Sequence, residues 1–133
     1  MSRVKQIERF LAKEIMNWEE SSVANAQSVS QSWKNSKGNV NYYIGSWKPW
    51  DFRDRALCLL CSYTNIWTIQ HTQDSYIDKF DELYEVYIGS LKNIMGFGMY
   101  DTMASAIVLA VLDSEGELGL SKNLKKELEE WRL

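Results

Sequence analysis

Trp47-Lys48-Pro49-Trp50-Asp51 runs directly into Phe52–Thr64, and this stretch decides how the chain is read. Asp51 is a good helix N-cap, because its carboxylate can accept from the free N–H groups of a first helical turn. Pro49 stands just ahead of it and biases Lys48 toward extended backbone. The segment Ala56-Leu57-Cys58-Leu59-Leu60-Cys61 then offers no polar face. A helix that is apolar all round must be covered on more than one side. This helix is therefore expected at the centre of the core, with Trp47 and Trp50 locking its start.

Upstream, Val40, Tyr42 and Ile44 alternate with Asn41, Tyr43 and Gly45, which reads as a strand. Residues 21–39 are rich in Ser, Asn and Gln and read as an exposed polar loop or insertion with at most a short helix. Before them, Val4, Ile7, Leu11, Ile15 and Trp18 recur at three- and four-residue steps. That spacing predicts an amphipathic helix capped by Ser2 and ending near Glu20, with Glu8 among its polar residues.

Downstream, Trp67 and Ile69 alternate with Thr68 and Gln70, and Tyr84, Val86 and Ile88 alternate with Glu85 and Tyr87. Both segments read as strands. Asp74 to Glu82, between them, reads as a turn or a short helical piece. Gly96-Phe97-Gly98 reads as a break. Asp101 is expected to cap an apolar helix through Thr102 to about Leu112, and Ser121 to cap a last helix over residues 121–133. Its stripe of Leu124, Leu128 and Trp131 needs a surface to dock on, either its own domain or a second copy. The fold class expected is α+β. A small antiparallel sheet of about three strands is sandwiched by helices in α/β/α layers, with an added C-terminal helix, in a single domain over 1–133.

Composition bounds the rest. The chain has 133 residues, 45% hydrophobic and 13% aromatic, enough for a real core without disulfides or metals. A net charge of −3 and a pI near 5.2 favour neither a duplex DNA binder nor a DNA mimic. The stretch Met1–Glu14 is charged and amphipathic, unlike a signal peptide. The longest apolar run, Ala106–Leu112, is too short to span a bilayer. Two cysteines with no secretory signal point to a reducing cytosol.

No residue pattern names a reaction. Cys58 and Cys61 form a C-x-x-C, yet their place among leucines favours two small buried hydrophobes over a redox or zinc pair. His71, the only histidine, reads as a half-exposed strand residue, since nothing fixes a nucleophile beside it. Asp74, Asp78, Asp81, Glu82 and Glu85 form an acidic cluster without the spacing of a calcium loop, and read as a solvated rim. No catalytic residue, metal ligand or cofactor is assigned.

The strongest candidate for binding is aromatic and basic. Trp33, Lys34, Lys37, Tyr43, Trp47, Lys48 and Trp50, with Tyr42 among them, interleave rings with cations. Such residues can make an interface hot spot, stack on bases, or simply fill a small core.

Three segments carry a resemblance: Leu11-Ala-Lys-Glu-Ile-Met-Asn-Trp18, then Ser46-Trp-Lys-Pro49 ahead of Asp54-Arg-Ala-Leu-Cys58, then Asp101-Thr-Met-Ala-Ser-Ala-Ile-Val-Leu-Ala-Val-Leu112. In that order they resemble the small bacteriophage proteins of the phage ABA sandwich domain family. The Ser-rich segment before Val40 then looks like an insertion, and the helix after Ser121 like an addition. Trp50 stands where a small polar residue would be more usual. The resemblance implies an α/β/α layered fold and a phage or prophage origin, and transfers no catalytic site. With it, the expected function is a non-enzymatic, anti-CRISPR-like accessory protein in the bacterial cytoplasm. It would bind and block a host protein, such as a defence component. The alternative is a protein that sequesters a nucleotide or short oligonucleotide. A membrane partner is not expected, and a homodimer is the other arrangement left open by the last helix.

Overall fold

In a computed structural model, residues 2–24, 29–73 and 82–130 are described. They form an α+β structure of four helices, one π-helical turn and two three-stranded antiparallel sheets. Where the sequence suggests a single domain, the chain divides into two compact units, Met1–Lys48 and Pro49–Leu133.

The first unit opens with α1, Arg3–Phe10, whose N-cap Ser2 accepts from the Lys5 N–H. A π-helical turn, Leu11–Ile15, continues it. The wider turn brings Leu11, Ala12 and Ile15 inward together with Ile7, and all four are buried. The helical course stops there rather than near Glu20, and Asn17 sits at φ 57°. The chain then enters β1 (Glu19–Ala24), which pairs with β2 (Val29–Lys34), which pairs with β3 (Val40–Tyr43). The polar loop expected over 21–39 is thus largely a hairpin. Its serines and glutamine occupy strand positions because cross-strand hydrogen bonding satisfies the backbone whatever the side chain, while buried Trp33 anchors the sheet. The turn between β2 and β3 is built by Asn35, whose Oδ1 accepts from the N–H groups of Lys37 and Asn39.

In the second unit, α2 (Arg53–Tyr63) precedes β4 (Trp67–Gln73), β5 (Glu82–Ser90), β6 (Asn93–Tyr100), α3 (Met103–Ser114) and α4 (Leu118–Glu130). The strand order is β4-β5-β6. Helix α3 packs on β5 and β6, and both α2 and α4 pack on α3. The layers in this unit therefore run sheet, α3, α2. The expected sandwich, with helices on both faces of one sheet, is not the arrangement within it.

The centre of this core is α3, not α2. Every residue from Ala104 to Leu112 is buried. Each large side chain here, such as Ile107 or Leu112, contributes about 1.5–3 kcal/mol over an exposed one. Helix α2 buries only Ala56, Leu59 and Leu60. Cys58 and Cys61 are exposed, which corrects their expected burial. They sit three residues apart on the side of α2 turned from α3, where apolar character alone did not enforce cover. Trp50 is buried and its carbonyl accepts from Ser105 Oγ, tying the start of α2 to α3.

The caps differ from expectation by one to three residues. Phe52, not Asp51, is the N-cap of α2, and it makes no side-chain cap bond. Thr102, not Asp101, caps α3, accepting from Ser105 N–H. Helix α4 begins at Leu118, so Ser121 lies inside it. Gly96-Phe97-Gly98 is no break but the middle of β6. A Cβ on Gly96 would lie 2.6 Å from the Ala110 carbonyl oxygen, and one on Gly98 would collide with the backbone of Ala106 and Ala110. These glycines let α3 lie directly on the strand.

Candidate protein-binding surface

The aromatic and basic residues singled out from sequence split sharply by exposure. Trp33, Trp47 and Trp50 are buried. Lys34 and Lys48 are half-buried, and Lys37 and Tyr43 are exposed. The tryptophans are core residues, and Trp50 belongs to the second unit while the other residues of the group lie in the first.

What remains at the surface is held by a buried acid. Glu8 is fully buried in α1. Its carboxylate accepts from Gly45 N–H at 2.6 Å and from Trp47 N–H at 2.9 Å. Charge-assisted bonds of this kind are stronger than neutral ones and fix geometry closely. They clamp the segment that follows β3. Gly45 takes φ 95°, open to glycine but costly for other residues. Ser46 donates through both its N–H and its Oγ to the Tyr43 carbonyl. Trp47 packs against Trp18 with ring centroids 4.6 Å apart, and Tyr42 stacks on Trp47 at 6.3 Å.

Tyr43, at the start of this clamped turn, is 61% exposed. An aromatic side chain held out on a rigid turn has little entropy left to lose on binding. Lys37 lies on the turn at the other end of the same hairpin, and Lys34 pairs across from Val40 between them. Lys48 sits at φ 37°, not in the extended backbone that Pro49 favours. The burial of Trp47 and Trp50 on either side overrides that local preference.

Glu8 is the functional element that sequence reading missed, having been placed with the polar residues. The signal was its position three residues before Leu11 and four after Val4, beside the apolar stripe.

Elsewhere, His71 stacks on Tyr84 with centroids 4.2 Å apart, and its Nε2 lies 3.8 Å from Glu82. Glu85 accepts from Tyr87 Oη. Of the acidic cluster, Asp74, Asp78 and Asp81 lie outside the described residues, as does Trp131 of the C-terminal stripe. Leu124 is buried and Leu128 half-buried, on a helix that packs on α3. A second apolar surface was also missed. Along β6, Ile94, Met95, Phe97 and Met99 are all exposed. Among the described residues, no helix is long and apolar enough to cross a membrane.

Comparison with protein-family models, with curated proteins and with solved structures returned no match to this chain.

Proposed function

We propose that this chain is a non-enzymatic phage or prophage accessory protein that binds and blocks a host protein in the bacterial cytoplasm. The binding part rests on one observation: Tyr43 is held out to solvent on a turn that Glu8 clamps from inside. Tyrosine anchors with basic neighbours are enriched where proteins bind proteins. The phage part rests on the resemblance carried by Leu11–Trp18, Ser46–Pro49 and Asp101–Leu112. A nucleotide-binding reading would need Trp33, Trp47 and Trp50 as stacking platforms. Their burial weighs against it.

The test is affinity capture from bacterial lysate with the wild type and with Tyr43→Ala plus Lys37→Ala. A bound protein lost in the double variant, with the fold intact by circular dichroism, supports the reading. Equal capture by both moves the site away from this hairpin. A rise in melting temperature with nucleotides, and no captured protein, would replace this function with the ligand-binding one.

A further inference from the structure

Strand β6 is the outermost of the sheet β4-β5-β6. The Phe97 N–H points away from β5, because it donates to Asp113 Oδ2 at 2.9 Å. Main-chain groups alternate in direction along a strand, so those of Met99 face outward too. Free edges of this kind are normally blunted by charge, proline or brevity. Asn93–Tyr100 is eight residues long and has neither a charged residue nor a proline.

The strand also reads the same in both directions about its middle. Met95-Gly96-Phe97-Gly98-Met99 is a palindrome centred on Phe97. An antiparallel partner of identical sequence would set Phe97 opposite Phe97. Each Met95 would face a Met99, and each Gly96 a Gly98. That is the self-complementary pattern a two-fold interface requires, and aromatic pairs directly opposite each other stabilise a sheet.

We propose that β6 is a self-pairing edge: a second copy of this chain adds its β6 antiparallel about Phe97, and the Asp113 carboxylate holds that pairing back. Asp113 occupies the Phe97 N–H, the central donor that the pairing needs. Its side chain is at the surface and can turn out into water. Helix α4 flanks the strand without sealing it. A cleft of about 180 Å³ separates Phe97 and Met99 from Leu118, Ser121 and Lys125. This surface lies in the second unit and is independent of the Tyr43 hairpin.

The test is sedimentation velocity over a wide concentration range on the wild type, Asp113→Ala, and Asp113→Ala combined with either Phe97→Lys or Met99→Lys. Asp113→Ala should dimerise about tenfold more tightly than the wild type. Either lysine, facing its own copy across the axis or lying on the edge, should return it to monomer, with circular dichroism showing the fold retained. The proposal is overturned if Asp113→Ala associates no more tightly than the wild type. It is equally overturned if association survives in whichever lysine variant is folded.

Discussion

The Glu8 carboxylate and the Trp47 N–H lie 2.9 Å apart across a separation of 39 residues, with the acid fully buried. The same carboxylate takes the Gly45 N–H. Two backbone donors therefore depend on one side chain. Glu8→Ala leaves both unpaired and should cost about 3 kcal/mol of stability. Glu8→Gln retains one acceptor oxygen and should cost less. Urea unfolding of the three proteins measures the order, and equal stabilities would show that the clamp is not structural.

The helix-on-strand contact makes a paired prediction. Gly98→Ala drives a methyl group into the backbone of α3, which cannot rotate aside as a side chain can. It should destabilise the protein by about 3 kcal/mol. Gly119, in the first turn of α4, has nothing within 4 Å of a Cβ. Gly119→Ala should stabilise by about 0.5 kcal/mol through helix propensity and lost unfolded-state freedom. Thermal melts of both variants should move in opposite directions.

Cys58 and Cys61 are exposed in α2. Both should react with a thiol reagent in the native protein as fast as in the unfolded chain. Cys58→Ser should change stability by no more than about 0.5 kcal/mol, as surface substitutions do. Protection of either thiol until the protein is unfolded would contradict this placement.

Tyr63 donates to Ser114 Oγ at 2.8 Å, and burial raises its pKa above the usual 10.0. The folded state thus holds the phenolic proton more tightly than the unfolded state. Its contribution is fully present below the ordinary tyrosine value and is lost as pH rises through the raised one. Tyr87 moves the same way through its bond to Glu85. Stability should be level near pH 8 and fall toward about pH 11, and Tyr63→Phe should remove part of that fall. Denaturant midpoints across this range are the measurement.

Much of the second unit was legible. Alternation placed β4 and β5, and the apolar run of α3 announced a buried helix. Three features were not legible, each for a physical reason. The composition of residues 56–61 does not say which of two apolar helices takes the centre. The neighbours decide that, and glycines 96 and 98 in β6 admit α3 rather than α2. A polar segment such as 19–34 can be a strand because its ladder bonds are made by the backbone. The aromatic group was visible as a group, but only burial separates Tyr43 from Trp33, Trp47 and Trp50. A Trp33→Ala variant would therefore probe folding rather than binding, and Tyr43→Ala is the informative change.

The π-helical turn at Leu11–Ile15 fixes the spelling of the chain to a single residue. Such a turn is an α-helix carrying one extra amino acid. Excising one residue, Lys13 for instance, would let the helix close up in regular form and leave α1 unharmed. Everything after the cut would then swing by about 100° around the helix axis. Trp18 would leave its place against Trp47, and β1 would set out in a new direction. In this unit a frame-preserving loss of one codon is more damaging than many substitutions.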